Sequence, residues 1–389
     1  MGQLFTFVAP RQRLTLSWGG KLGEMVFDGS AKELIELLTV IPRHEFTRKQ
    51  TTVDPRVAAK NLPAKSTCHD ATKAVNVAVN VAVKRKADAE TPENDTQASK
   101  KACYGNHPLK SRPVTFSDFP TELHRQIFFQ IESVRDIVTL GLVNQYFCDI
   151  AVEEVLIYIR DRQAPWAGQN IVCVGEYVEP NDYPPGLFSK AELEAFGKEK
   201  IEIYNEGKEE YEVRSLRTLD DFTLPDVSRY PKVCDLVDEV GDITCYFSRL
   251  RLPEKAALRY ILAELPEWLG RHGRWPDIDQ PWILRNLTTR EFVRAEAIAL
   301  KPESIHGPDI DVLGFGEVLL SRICWSSDGS CSMMDTTNIC RGVWAGHCFD
   351  ITTLASHQEK TANGEEWTDA SEEVAQEMAK IYESNCGTN

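Results

Sequence analysis

The sequence lacks any apolar run approaching the roughly 18 residues that a membrane-spanning helix requires, and its first residues lack the basic, apolar and small-residue order of a secretory leader. No membrane partner is expected, and the chain reads as a soluble protein of the cytoplasm, the nucleus or both. It also has no C-x-x-C pair: its eleven cysteines are scattered over 389 residues, which suits reduced thiols better than a disulfide framework. Positive charge is scarce. Against 59 Asp and Glu there are 44 Lys and Arg, a net charge of -15, so the surface as a whole repels phosphate backbones and no nucleic-acid partner is expected. Missing too are G-x-S-x-G, the phosphate-cradling G-x-x-x-x-G-K-[ST], H-E-x-x-H and G-x-G-x-x-G. No catalytic residue, cofactor or metal is therefore expected.

Aromatic residues are absent from Thr47 to Cys103, as are Ile and Met, and Leu62 is the only leucine there. Such a stretch cannot bury enough apolar surface to offset its ordering entropy, so 46–112 reads as a disordered basic linker. Residues 47–112 carry 13 Lys and Arg against 6 Asp and Glu, net +7, which leaves -22 on the rest of the chain. Within it, Ala74 to Val83 alternates Val with Ala or Asn, a strand-like period with no obvious partner.

What remains has globular composition. In segment 1–45, Leu4 to Val8 and Gly23 to Phe27 read as short strands, and Ser30 precedes a helix over Ala31 to Leu38 with Leu34, Ile35, Leu37 and Leu38 on its apolar side. So short a segment needs another surface, and it is expected to pack on the C-terminal part. Region 163–355 alternates strand-like stretches (Ile171 to Val178, Phe292 to Ile298, Glu317 to Trp325, Val343 to Ile351) with a helical one, Glu254 to Leu269. This order predicts an α+β fold with an antiparallel sheet and flanking helices. In the acidic tail 356–389, Trp367, Ala370, Val374, Met378 and Ile381 recur at helical spacing behind an Asp369/Glu372 capping pair, an amphipathic helix expected to dock on its own chain.

Segment 113–162 divides into three short helices by its own signals. Pro120 opens the first, in which Leu123, Ile127 and Ile131 recur every fourth residue. Ser133 with Asp136 caps the second, which carries Ile137, Leu140 and Val143; the third starts near Asn144 with Phe147, Ile150, Ala151 and Val155 inward. About 45 residues cannot hide this much apolar surface among themselves, so part of it must face another domain or another protein.

In order and type these residues resemble an F-box. The family pattern begins with an apolar residue, Pro and then Glu-Leu, here Phe119-Pro120 and Glu122-Leu123. It continues with an Ile-rich stretch (Ile127 to Ile131) and an acidic-apolar pair (Asp136-Ile137), and closes with Leu140, Val143 and an aromatic, Phe147. Phe119 stands where the pattern usually has Leu, and Tyr146 or Phe147 where it has a late Trp. Residues 20–42, 166–177, 282–328 and 342–352 are also similar to filamentous-fungal F-box proteins. The resemblance implies a non-enzymatic substrate receptor of a Skp-cullin-F-box ubiquitin ligase. Phe119, Pro120, Leu123, Ile127, Ile131, Ile137, Leu140, Val143 and Phe147 would bind a Skp-type adaptor and, through it, cullin, while the C-terminal domain holds an unknown client protein.

The rival expectation is an enzyme or small-ligand binder using the α+β domain, with the helical block purely structural; clustered titratable groups in a pocket would favour it. His306 with Asp309 and Asp311, and His347 with Asp350, are its loose acid-base candidates. Cys324, Cys331, Cys340, His347 and Cys348 lie near one another in sequence without a zinc-finger spacing. Trp268, Trp275 and Trp282 fall seven apart and suit either a client groove or packing under a loop.

Lys84, Arg85 and Lys86 with Lys100 and Lys101 are spaced like a bipartite nuclear import signal, or form a solvated charge run. A reporter carrying residues 80–105 is expected to enter the nucleus and to lose import when these five are neutralised; equal import of both forms would leave the charge-run reading.

Overall fold

The computed structural model describes residues 2–46, 115–205, 210–230, 252–266, 275, 276 and 279–387. The linker's Val repeat and the basic cluster of Lys84, Arg85, Lys86, Lys100 and Lys101 lie outside the described residues, as does Trp268.

Strands β1 (Leu4–Ala9) and β2 (Leu14–Lys21) form a hairpin. Pro10–Gln12 makes the turn and Arg13 completes it in the left-handed region at φ 54°. Next come α1 (Leu22–Phe27) and α2 (Glu33–Leu38). The strand expected at Gly23 to Phe27 is thus a helix: Leu22, Met25 and Val26, spaced three and four apart, are all buried on one side. Ser30 does not cap α2. Its hydroxyl donates to Asp28 Oδ1 at 2.5 Å, and a short 3₁₀ turn precedes the helix.

The helical block comprises α3 (Thr121–Phe129), α4 (Val134–Gly141) and α5 (Gln145–Arg162). Ser133 Oγ accepts from the Asp136 amide, the cap expected from the sequence, and Asn144 Oδ1 accepts from the Phe147 amide to start the third helix. Gly141 is needed where α4 meets α5: a Cβ there would lie 2.5 Å from the Ala151 methyl. Beyond them lie β3 (Val172–Gly175), α6 (Lys190–Phe196), the hairpin β4 (Lys200–Asn205) and β5 (Glu210–Ser215), and α7 (Leu252–Glu264). Helix α7 packs back on α5, adding Ala257, Leu258, Ile261 and Leu265 to the core of the block.

The last third contains β6 (Trp282–Asn286), β7 (Glu291–Arg294), α8 (Ala295–Ile298), the small pair β8 (Ile305–His306) and β9 (Asp309–Ile310), and α9 (Phe315–Ile323). It ends with β10 (Cys324–Trp325), β11 (Phe349–Thr353), α10 (Leu354–Thr361), β12 (Thr368–Asp369) and α11 (Ser371–Cys386). Helix α9 replaces most of the strand expected at Glu317 to Trp325. All nine of its residues are buried, and its polar members Glu317, Ser321 and Arg322 serve internal hydrogen bonds and ion pairs, so no solvent-facing side marks the helix. Glu317 Oε2 accepts the Gly314 amide at 2.8 Å to start it, and Gly316 lets the Ala31 carbonyl approach.

The fold is α+β, with mixed rather than wholly antiparallel sheets. One has the order β10-β3-β1-β2, with β10 parallel to β3; the other runs β11-β6-β7-β12, with β12 parallel to β7. Segment 1–45 therefore shares a sheet and a core with residues beyond 166: Phe5, Phe7, Leu34 and Leu38 join Trp282, Phe315 and Phe349 in one cluster. Tail helix α11 is part of the same core through Val374, Met378 and Ile381, and Arg322 of α9 holds Glu373 and, at 2.7 Å, Glu377.

Between the sheet and α10, Arg285 makes a buried two-pronged pair with Asp350 at 2.6 and 2.7 Å, and its other nitrogen lies 3.4 Å from His357 Nδ1. Burial, then the guanidinium, holds the His357 pKa below the usual histidine value; burial does the same at His347. The folded state thus resists a proton that the unfolded chain accepts near its ordinary pKa of about 6.5, and stability is full above that pH and falls as pH drops through it. Thermal unfolding followed by circular dichroism is expected to show a lower midpoint near pH 5.5 than near pH 7.5, and His347→Gln/His357→Gln should flatten that slope even if it lowers the midpoint overall.

Candidate functional site

Helix α3 inverts the usual amphipathic arrangement. Its buried residues are His124 and Phe128, four apart, whereas Leu123 and Ile127, on the neighbouring stripe, are 43 and 36 % exposed. Just ahead of the helix, Thr115 and Asp118 close a 3₁₀ turn over Phe116–Asp118. Asp118 Oδ2 accepts from both the Thr115 amide and its hydroxyl at 2.8 Å. Phe119 and Pro120 follow in extended backbone, so Phe119 emerges beside the exposed stripe.

The buried histidine is satisfied. Its Nε2 donates to the Phe116 carbonyl at 2.8 Å and its Nδ1 lies 3.0 Å from the Tyr146 hydroxyl, itself 3.0 Å from Thr121 Oγ1. Phe116, Tyr146 and Phe147 surround the imidazole with ring centroids 4.9 to 5.4 Å away, Phe147 edge-on. This polar and aromatic lock turns the His124 stripe inward, and in a rigid helix the Leu123 stripe must then point out. With Phe119, Gln126, Phe129 and Gln130, Leu123 and Ile127 line an open trough of about 610 Å³.

The nine expected contact residues divide. Phe119, Pro120, Leu123, Ile127 and Val143 are exposed; Ile131 and Leu140 are half-buried; Ile137 and Phe147, each 2 % exposed, belong to the core of the block. A single contact face holding all nine is therefore not present: Ile137 and Phe147 support the face from beneath. Sequence reasoning missed Phe129, at 68 % the most exposed aromatic of the trough, although its place next to the buried Phe128 was a signal, since adjacent helical residues point about 100° apart.

The acid-base and metal candidates do not assemble. His306 Nε2 lies 3.4 Å from Asp311, both well exposed. Asp350 is committed to Arg285, and His347 Nδ1 accepts instead from the Asn286 amide nitrogen at 3.0 Å. Cys324 sits opposite Cys173 across the β10–β3 pair, and burial pushes the Cys340 thiol up to about 12. Among the described residues no group of three or more His, Cys, Asp and Glu is arranged to hold a metal ion. Trp275 and Trp282 lie 6.5 Å apart with tilted rings, the first donates to Asp309 of β9 at 3.1 Å, and both belong to the packing of the large core. Burial, with Asp221 and Glu176 nearby, raises Asp220 to about 6; neither Asp220 nor either histidine borders the α3 trough.

Compared with family models, curated proteins and solved structures, the chain matches none.

Leu123→Ser should cost only about 1 kcal/mol of unfolding free energy, because the side chain is already 43 % exposed. His124→Ala should cost about 2 kcal/mol by leaving the Phe116 carbonyl short of its donor in an aromatic cluster. Denaturant titration of the two variants checks the order, and a larger loss at Leu123 would reverse the assignment of faces.

Proposed function

We propose that the α3 face is the adaptor-docking surface of an F-box and that the chain is a substrate receptor of a Skp-cullin-F-box ubiquitin ligase. The observation that carries this reading is the inversion in α3: the helix keeps a histidine inside at the expense of a built hydrogen-bond network while Phe119, Leu123, Ile127 and Phe129 remain 36 to 68 % exposed. Contiguous exposed apolar side chains of this kind mark protein interaction sites, and burying one such side chain fully is worth roughly 1.5–3 kcal/mol. The Phe119-Pro120-x-Glu122-Leu123 order, shared with the family, starts at the edge of this trough.

On this reading Phe119, Pro120, Leu123 and Ile127 enter an apolar site of a Skp-type adaptor, with Ile131, Leu140 and Val143 at the margin and Ile137 and Phe147 holding the helices in register. The adaptor connects to a cullin, and the α+β part carries a client protein to the ligase, in cytoplasm or nucleus. The receptor does no chemistry of its own. Arg125, paired with Glu153 of α5 on the exposed surface, adds little.

Capture of a purified fungal Skp-type adaptor by the full chain tests this. Leu123→Ala and Ile127→Ala are each expected to cost about 2 kcal/mol or more of binding and Arg125→Ala little. Equal losses at all three, or no capture by the unsubstituted chain, would count against the proposal.

A further inference from the structure

A second exposed apolar surface lies far along the chain from α3. Among the described residues strands β4 and β5 pair only with each other, and their register sets Lys200, Glu202 and Tyr204 opposite Ser215, Val213 and Tyr211. Side chains alternate along a strand, so these six share one face, while Ile201 and Ile203 point the other way into the cluster of Leu216 and Phe222. The shared face is left to solvent: Tyr204, Tyr211 and Val213 are 51, 70 and 62 % exposed. The two tyrosine rings pair across the strands at 5.3 Å and 60°.

The charges around this face are unequal in their commitments. Lys200 Nζ donates to Ser215 Oγ at 2.9 Å, and Arg214, on the inner face, is held by Asp221. Glu202, between Lys200 and Tyr204 on the shared face, makes no ion pair among the described residues, whereas Glu210, opposite Asn205, belongs to the inner face. Two π faces beside the Glu202 carboxylate attract cations, and an arginine over a tyrosine ring gains about 0.5–2 kcal/mol depending on how far it is desolvated. Alternate side chains along a strand are about 6.6 Å apart, which is the separation of Glu202 from Tyr204.

We propose that the outer face of the β4–β5 hairpin docks an extended segment of a partner protein with Lys or Arg at alternate positions, one cation on the Tyr204–Tyr211 pair and the next on Glu202. That this partner is the client rests on the receptor reading above; the docking surface itself does not.

The test uses the full chain and a fluorescein-labelled peptide alternating arginine and threonine, with a twin carrying glutamine for arginine, followed by anisotropy at physiological salt. The arginine peptide is expected to bind and its twin not. Tyr211→Ala should weaken binding about 5- to 30-fold and Glu202→Lys should abolish it, whereas Tyr204→Phe/Tyr211→Phe, which keeps the rings, should bind nearly as the unsubstituted chain does. Unchanged affinity in both Tyr211→Ala and Glu202→Lys would mean general attraction to a chain of net charge -15 and would overturn the proposal, as would failure of the arginine peptide to bind. Glu202→Lys leaves the inner face intact, so its result stands even if Tyr211→Ala disturbs the hairpin. Leu123→Ala should leave peptide binding unchanged. Loss of adaptor capture with peptide binding intact would remove the client interpretation alone, and the converse would leave the receptor reading standing.

Discussion

The pairing of β1 with β3 is the constraint on which the rest of the molecule depends. Phe5 to Val8 hydrogen-bond antiparallel to Val172 to Gly175, which makes β1 an inner strand of a sheet whose other members come from residues 14–21 and 324–325. Both faces of that strand are used. Phe5, Phe7 and Ala9 enter the large core with α2, α9 and α11, and Val8 enters the smaller one with Val172, Leu219 and Phe222. A segment too short to hold a core therefore becomes the centre of one, and both ends of the chain meet around it.

The helical block solves the opposite problem. Its core, strengthened by α7, has room for Phe128, Ile137, Phe147 and Ile150 but not for a second stripe on α3. Which stripe goes inside is decided by His124, whose two ring nitrogens find partners only when it is turned toward Phe116 and Tyr146. A buried imidazole without those bonds would be costly, and with them it sets the helix rotation more sharply than an interchangeable aliphatic contact does. The apolar trough is the consequence of that rotation.

The two solvent-facing apolar surfaces thus arise in different ways. On α3 a satisfied polar group displaces leucine and isoleucine outward; on the β4–β5 hairpin strand alternation alone exposes the tyrosines once Ile201 and Ile203 are committed inward. Each is rimmed by polar residues, Gln126 and Gln130 in one case and Glu202 in the other, as interaction surfaces on soluble proteins are.

Local pattern alone is enough for the α+β class, the three helices of the block with the Ser133 cap, and the tail stripe of Val374, Met378 and Ile381, because capping residues and apolar period are local properties. It misread α1 and α9 as strands: α1 is too short for its period to stand out, and α9 is buried on every side, its Glu317, Ser321 and Arg322 bonded internally rather than forming a solvent-facing stripe. Which members of the nine-residue pattern face water depends on packing between parts of the chain far apart in sequence. Leu123 and Phe147 are equally apolar in the text, and what separates them is the rotation that His124 imposes and the wall that α7 supplies from more than a hundred residues away, neither of which is written near them in the chain.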